Sequence, residues 1–319
     1  MRSFARACAF AAFAVTAPLQ AQDYPHGPIT LVIPLAAGDA TDTAGRAIAE
    51  ELSRELKVPV IPVNRPGGGG SVGTDSVVKA GKDGHTIVLT NNAALNFRSI
   101  LDPHNVTYDP LRDLTALGMA MRSPTVLAVR GDAAYKSFPE LIDYAKRNPG
   151  RVSIATAGIG SVGDFCIQTI NSLTGAALVT VPFPGASPAV TALRGGHVQG
   201  VIIALGAMTG QIRSGAFKGV AASSQYPDFP DIPTLAQLGF AEPLFGIWVG
   251  FFAPAGLPAE VSRVLVPALE RAVSAPGVGA KLAPLGMVPE WAPPEQLRAE
   301  IRDEHERVLQ IAKRAGLVQ

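Results

Sequence analysis

Two glycine-containing turns, one in each half of the chain, are the segments best suited to bind a small anion. Each follows a short apolar segment, residues 29–34 or 151–156, and each precedes a pattern typical of a helix. The first backbone N–H groups of a helix have no partner within it, so they can bind a negatively charged group. Two such turns suggest a clamp around one anion. The candidate ligand-binding residues are Leu35, Ala37, Gly38, Asp39, Thr41 and Asp42 in the first turn (residues 35–42) and Ala157, Gly158, Gly160, Ser161, Gly163 and Asp164 in the second turn (residues 157–164).

The second turn also matches a dinucleotide-binding pattern. Gly158, Gly160 and Gly163 have the G-x-G-x-x-G spacing between an expected strand and an expected helix. That pattern requires an acidic residue about twenty positions later to bind the ribose. The chain has no Asp or Glu between Asp164 and Asp228. We therefore expect no cofactor, and the glycines instead let a ligand approach the backbone closely.

The sequence contains no convincing catalytic or metal-binding constellation. Residues 69–73 match the G-x-S-x-G pattern of hydrolases, but the preceding strand is expected to end near Val63, too early to place Ser71 on a tight strand-to-helix turn. Beyond Cys8, the only cysteine is Cys166, and no two histidines share a helical face with a carboxylate. We therefore expect a binding protein with no catalytic residues and no metal. An exported enzyme resembling α/β hydrolases is the less favoured alternative.

Residues 1–21 have the features of an export signal. Arg2 and Arg6 precede a run rich in Ala and Phe that is too short to span a bilayer, and Ala21 is a small residue at the expected cleavage point. Removal of this segment leaves 319 − 21 = 298 residues, which is enough for two domains. We therefore predict an exported protein whose signal peptide is cleaved near Ala21.

The chain that remains after this cleavage is almost neutral. Without Arg2 and Arg6 it has 27 − 2 = 25 Lys and Arg against 26 Asp and Glu, and it contains no run of basic residues. Aromatic residues make up only 6% of the sequence, too few to suggest a platform for stacking bases. This charge balance and low aromatic content argue against a nucleic-acid-binding groove and against a surface that binds anionic membranes.

Strand and helix patterns alternate along most of the chain. Such alternation predicts an α/β fold of parallel sheets with helices on both faces. Ser137 is a good candidate for the N-cap of one helix. The expected strands are residues 29–34, 60–63, 86–90, 125–129, 152–156, 178–181, 198–203, 217–222 and 249–252, and the expected helices are residues 41–56, 73–80, 138–148, 162–173, 188–194, 260–275, 276–285 and 294–315.

Several short motifs occur in a particular order and spacing along the chain. They include Val32-Ile-Pro34, Val63-Asn-Arg-Pro-Gly67-Gly-Gly-Gly70, Asp83-Gly84-His85-Thr86, Tyr108-Asp109-Pro110, Val181-Pro182-Phe183, Gly195-Gly196-His197-Val198 and Phe252-Ala253-Pro254-Ala255-Gly256. No single motif is decisive, but together they are specific. In these motifs the chain resembles the Bug-type extracytoplasmic solute receptors of tripartite tricarboxylate transporters over nearly its whole length after the signal.

The resemblance implies a two-lobed, type II periplasmic-binding-protein fold. Each lobe would hold a mostly parallel sheet, and two crossings, near residues 122–125 and 222–250, would form the hinge. Lobe 1 would comprise residues 22–122 and 238–319, and lobe 2 residues 123–237. The two turns would face each other across the cleft. Further wall residues implied by the resemblance are Thr90 and Asn91 in lobe 1 and Pro184, Gly185 and Ala204 in lobe 2.

The resemblance also implies a role. The protein would be a monomer that captures a small carboxylate or amino-acid-like ligand and delivers it to membrane permease subunits. A subunit that presents its ligand to a signalling receptor is the alternative. Trp248 either lines the entrance or is a core aromatic.

Two acidic residues depart from the family pattern and leave the ligand chemistry open. Asp39 replaces a glycine that is common in the first turn, and Asp164 stands where a histidine is frequent. A carboxylate beside a bound anion is unfavourable unless something offsets it. Either the ligand carries a cationic or hydrogen-bond-donating group, or both acids cap their helices or face solvent.

Overall fold

The computed structural model describes residues 24–318, which form two β-sheets flanked by helices. The predicted export signal at residues 1–21 lies outside the described residues. Within them, every helix is too short or too polar to cross a membrane.

The first sheet contains six strands in the order β11-β4-β10-β3-β1-β2. The parallel half consists of β1 between β2 and β3, and β10 and β4 continue the sheet in antiparallel fashion. Apart from Thr90, the buried residues of β1 and β3 are aliphatic, as expected for strands covered on both sides. The bounds are β1 Ile29–Ile33, β2 Val60–Asn64, β3 Thr86–Asn91, β4 Leu114–Ser123, β10 Ile247–Pro254 and β11 Val288–Ala292.

The second sheet contains five strands in the order β7-β6-β8-β5-β9. Strand β6 pairs in parallel with β7 and β8, whereas β5 pairs antiparallel with β8 and β9. The bounds are β5 Thr125–Arg130, β6 Ser153–Thr156, β7 Val179–Pro182, β8 Gly200–Ala204 and β9 Phe217–Ala222.

Helices connect the parallel strands and cover the sheets. Ser137 caps the fourth helix by accepting a hydrogen bond from the N–H of Glu140, as its sequence context predicts. A π-helical turn at Ala93–Phe97 leads directly into the third helix. The helices are α1 Ala40–Leu56, α2 Ser71–Val78, α3 Arg98–Leu101, α4 Phe138–Arg147, α5 Val162–Thr174, α6 Ala186–Arg194, α7 Thr209–Arg213, α8 Ala259–Val273, α9 Pro276–Leu282 and α10 Pro294–Arg314.

The expectation of mostly parallel sheets is wrong, because both sheets are mixed. Strands β4 and β5 are separated only by Pro124, so the chain passes straight from one sheet into the other. Parallel neighbours require a crossover connection, usually a helix. β5 and β10 enter their sheets from the other sheet and have no such helical crossover. They pair antiparallel with β8 and β3 respectively.

Strands β1–β4, β10 and β11 form one sheet and β5–β9 form the other. The hydrophobic core, however, is continuous between the regions. Phe97, which follows β3, packs edge-to-face against Phe165 of α5 and against Phe245, with ring centroids 5.2 and 5.3 Å apart. The C-terminal part of α10 joins the same cluster through Val308 and Ile311. The exact lobe boundaries at residues 122 and 237 remain a prediction.

Candidate ligand-binding site

The first turn is closed by two carboxylates of its own. Asp39 is the N-cap of α1, and its Oδ1 accepts a hydrogen bond from the N–H of Thr41 at 2.9 Å. Asp42, in the first turn of the helix, accepts from the N–H of Gly38 at 2.8 Å. Gly38 has a φ of 83°, a conformation that favours glycine. Ala37 beside it is exposed, and the Leu35 carbonyl accepts a hydrogen bond from Asn64 Nδ2.

The second turn has the same construction. Ser161 is the N-cap of α5, and its hydroxyl accepts from the N–H of Asp164 at 3.2 Å. The Asp164 carboxylate in turn accepts from the N–H of Gly160 at 2.8 Å. Gly160 has a φ of 71°, and Gly158 one of 135°. Ala157 precedes them and is partly buried.

Each cap satisfies only one of the first N–H groups of its helix. In α1 the N–H groups of Ala40 and Asp42 have no acceptor among residues 24–318, and in α5 the same holds for Val162 and Gly163. Such groups carry the positive end of the helix dipole. Both turns therefore have donors left for an anion or for water molecules that bridge to one.

The electrostatics of the three turn carboxylates differ. Burial raises the pKa of Asp39 above its usual value, against the hydrogen bonds from Thr41. Burial likewise raises the pKa of Asp164, against the hydrogen bond from Gly160. Burial opposes ionisation of Asp42 as well, but hydrogen bonds from Arg46, Gly38 and Asn64 outweigh it and lower the pKa. Asp42 is therefore the best-satisfied anion of the three.

Several predicted wall residues contact other parts of the protein. Thr90 is fully buried with its hydroxyl 3.2 Å from that of Thr74, and Asn91 Oδ1 accepts a hydrogen bond from the N–H of Ala94 in the π-helical turn. Ala204 is buried at the end of β8. Pro184 is exposed and Gly185, with a φ of 113°, precedes α6.

Gly163 has a packing reason to be glycine. A Cβ atom at this position would lie 2.2 Å from the carbonyl oxygen of Ile202, so the glycine lets α5 lie against β8. As the last glycine of the G-x-G-x-x-G pattern, Gly163 therefore allows close packing of helix against strand, which is one of the roles of glycine in that pattern.

Two charged residues that sequence reasoning did not select lie at structurally central positions. Arg98 of α3 extends between Gly69 and Gly160. Glu304 of α10 is 2% exposed. Neither belongs to a recognisable motif. Arg98 follows a segment with no expected element, and Glu304 belongs to the helix expected at residues 294–315, in which no site residue is expected.

Through its carboxylate, Glu304 connects α10 to two other segments, the π-helical turn and β10. Oε1 accepts from Asn92 Nδ2 at 2.9 Å, and Oε2 accepts from Asn96 Nδ2 at 2.7 Å and from Trp248 Nε1 at 3.2 Å. Asn92 also donates to the carbonyl of Gly246. Trp248 is 1% exposed, so of its two proposed roles the core aromatic is the one observed. Burial raises the pKa of Glu304 to about 7, against the hydrogen bonds from the two asparagines.

Comparison with known proteins identifies the family. The model of the tripartite tricarboxylate transporter family receptor, TctC, matches residues 44–317. The chain belongs to this family. A curated relative of the receptor, protein BugT of Bordetella pertussis, is 32% identical over 304 residues, which cover 95% of this chain and 93% of BugT.

Solved structures of TctC-type proteins share the fold of this receptor. The periplasmic binding protein BugD is 32% identical, with a TM-score of 0.82 over 92% of this chain and 99% of BugD. MatC of Rhodopseudomonas palustris, solved with bound malate, is 29% identical, with a TM-score of 0.80 over 90% of this chain and 99% of MatC. The predicted two-lobed periplasmic-binding-protein fold is thereby confirmed.

Two surface depressions of this TctC receptor lie away from both turns. They share Arg130, at the carboxyl end of β5, and the larger has a volume of about 440 Å³. Their other lining residues include Gly196 and Gln199, which precede β8, and Phe217, which begins β9. Ligands of α/β proteins bind beyond the carboxyl ends of the parallel strands, where the second turn follows β6. These depressions are at the opposite edge of the sheet.

Proposed function

We propose that this protein is an exported receptor that captures a small carboxylate between its lobes and delivers it to membrane permease subunits, without catalysis. Membership of the TctC family and the malate-bound structure of MatC support this proposal. The proposal includes cleavage of the signal near Ala21, a periplasmic location and a monomeric state. A subunit that passes its ligand to a signalling receptor is the second candidate.

The matched construction of the two turns is the observation that carries the proposal. Gly38 and Gly160 each precede a capped helix in which two of the first N–H groups have no acceptor among the described residues. One helix N-terminus stabilises an anion by roughly 0.3–2 kcal/mol, whereas micromolar binding requires about 8 kcal/mol. A single turn is therefore insufficient. Both lobes must contribute, together with the exclusion of water when they close.

Asp39 and Asp164 affect which class of carboxylate ligand the site can bind. Asp39 and Asp164 each accept a hydrogen bond from their own turn, which favours the interpretation that they cap and close the turns. A ligand with an amino group or a basic ring remains the alternative, because each carboxylate has a second oxygen. Calorimetric titration of Asp39→Gly and Asp164→His proteins tests it: an unchanged preference between malate and an amino acid would leave capping as their role.

A thermal-shift screen tests the proposed function. Monocarboxylates, dicarboxylates, tricarboxylates, amino acids and aromatic acids would be added to the purified chain lacking residues 1–21. A ligand present at a hundred times its dissociation constant stabilises the folded state by about 2.7 kcal/mol, which is a clear shift. We expect a shift with at least one carboxylate and none with its amide or ester. The absence of any shift across the panel, or equal shifts with the uncharged analogues, would contradict the proposal.

Transport and signalling are separated by a second measurement. Deletion of the gene should abolish uptake of the carboxylate found in the screen if the receptor serves a permease. Normal uptake together with loss of a transcriptional response to that carboxylate would favour the signalling role.

A further inference from the structure

Arg98 lies between loops that belong to the two different sheets. On one side is Gly69, in the loop between β2 and α2, and on the other is Gly160 of the second turn. A Cβ atom on Gly69 would lie 3.3 Å from Cδ of Arg98, and one on Gly160 would lie only 2.7 Å from it. The space that the arginine occupies therefore depends on the absence of a side chain on both sides.

The polar contacts of Arg98 also connect the two regions. Its Nη2 forms an ion pair with Asp102, the residue that directly follows α3, and its Nη1 lies 3.4 Å from the carbonyl oxygen of Ile159, to which it donates. The residue is only 9% exposed, and its Nε is buried with no acceptor among residues 24–318. The planar guanidinium can donate hydrogen bonds to two acceptors at fixed angles, which a lysine ammonium group cannot do.

The location of these contacts relates them to ligand binding. The loop that holds Gly69 follows the carboxyl end of β2, and the second turn follows the carboxyl end of β6. These are the edges of parallel strands at which α/β proteins bind ligands. Gly160, which Arg98 contacts, is also the residue whose N–H closes the second turn on Asp164.

We propose that Arg98 is a positioning residue that holds the second turn against the glycine loop of the first sheet. Without touching the ligand, it fixes the place of the donors of the second turn relative to the first sheet. Asp102 orients the guanidinium, the two glycines admit it, and the carbonyl of Ile159 accepts from it. The consequence for affinity rests on the proposed function, whereas the contact itself can be tested without any ligand.

Hydrogen–deuterium exchange of the ligand-free protein provides that test. The Arg98→Met protein keeps much of the aliphatic stem but loses the guanidinium. We expect exchange in peptides covering residues 66–72 and 157–163 to become about tenfold faster, as for the loss of roughly one hydrogen-bonded contact. Exchange in α8 should not change. Arg98→Lys should give an intermediate exchange rate in these peptides. It keeps the positive charge beside Asp102 but loses the planar guanidinium that donates in two directions.

Two further variants make the exchange experiment decisive. Arg112→Met removes an exposed arginine that pairs with Asp113 and should behave as the unaltered protein. Asp102→Asn leaves Arg98 in place without its ion-pair partner and serves if Arg98→Met does not fold; it should accelerate exchange in the same two peptides. Unchanged exchange there, or equal acceleration throughout the first sheet and α8, would overturn the proposal.

Calorimetry with malate as the probe tests the consequence for binding. We expect the dissociation constant of Arg98→Met to be about tenfold higher than that of the unaltered protein. Faster exchange in the two peptides with an unchanged dissociation constant would overturn the role in ligand binding. If the unaltered protein does not bind malate, that result counts against malate as the ligand, while the exchange experiment still decides whether Arg98 positions the turn.

Discussion

The N–H of Gly160 donates to the carboxylate of Asp164 at 2.8 Å, and the N–H of Gly38 donates to Asp42 at the same distance. In both turns the glycine precedes the aspartate by four residues, and the N-cap lies directly after the glycine. The two segments share only the glycine and the aspartate at equivalent positions. The same closed turn therefore arises twice from two residues at a fixed spacing, although the N-caps differ: Asp39 accepts from the N–H two residues later and Ser161 from the N–H three residues later.

Removal of Asp42 should destabilise the protein more than removal of Asp164. Asp42→Ala deletes hydrogen bonds from Gly38, Arg46 and Asn64, at about 1 kcal/mol each, so we expect a loss of roughly 2–3 kcal/mol. Asp164→Ala also deletes a hydrogen bond, but it removes a carboxyl group whose pKa is raised by burial, so the cost of ionising that group in the folded state disappears. We expect a loss below about 1 kcal/mol.

Urea unfolding at pH 7 measures both changes in the free energy of unfolding. Asp132→Ala, at an exposed aspartate paired with Arg130, is the matched control and should change stability by less than about 0.5 kcal/mol. Equal losses for Asp42→Ala and Asp164→Ala would show that Arg46 and Asn64 contribute nothing beyond the N–H of Gly38.

Gly163→Ala should destabilise the protein by at least about 1–3 kcal/mol, the usual cost of overpacking a core. The added Cβ would lie 2.2 Å from a backbone carbonyl oxygen of β8, and neither element can move away easily. Gly279→Ala in α9 is the control, because a Cβ there meets nothing within 4 Å. That change should stabilise the protein by up to about 1 kcal/mol. Thermal unfolding of both proteins checks this pair, and a tolerated Gly163→Ala would contradict the close approach of α5 to β8.

The sequence predicts the elements that build the turns because their signals are local. The apolar runs of β1 and β6, the glycines that follow and the caps of α1 and α5 all lie within a few residues of one another. Periodicity and capping preferences act at this range. The fold itself was accessible through the order of motifs along the whole chain, which local patterns alone do not provide.

Features that depend on distant contacts were missed. Strand β4, Leu114–Ser123, is rich in Ala, Leu and Met, which favour helices, and it is held as a strand by pairing with β10 and β11. The mixed direction of the sheets depends on how the chain crosses between them. Arg98 lies beside Gly69 and Gly160, which belong to two loops distant in sequence, so the residues adjacent to Arg98 in the sequence do not predict its position.

The stability of the protein should depend on pH through Glu304. Its pKa is raised from 4.5 to about 7 in the folded state, chiefly by burial. Between these values the unfolded chain releases the proton while the folded chain retains it, so the free energy of unfolding falls as the pH rises through this window. Below pH 4.5 the group has no effect, and above pH 7 the full destabilisation, at most about 3 kcal/mol, is present.

Glu304→Gln removes this dependence because the amide has no proton to lose. The Oδ1 atoms of Asn92 and Asn96 are buried with no donor among the described residues. Rotation of the Asn96 amide would therefore offer an acceptor to the new NH₂ group, whereas the Asn92 amide is held by its second hydrogen bond, to the carbonyl of Gly246. We expect the Glu304→Gln protein to gain stability relative to the unaltered protein between pH 5 and pH 8.

Urea unfolding of both proteins at the two pH values measures this gain. Asp39, Asp42 and Asp164 titrate in both proteins, so their contributions cancel in the difference. Glu300 and Arg307 are the charged groups that influence Glu304, the first raising its pKa and the second lowering it, and both are retained. Glu306→Gln, at an exposed position of α10, is the control and should show no such gain. A difference between Glu304→Gln and the unaltered protein that is the same at pH 5 and pH 8 would mean that Glu304 is ionised at both values.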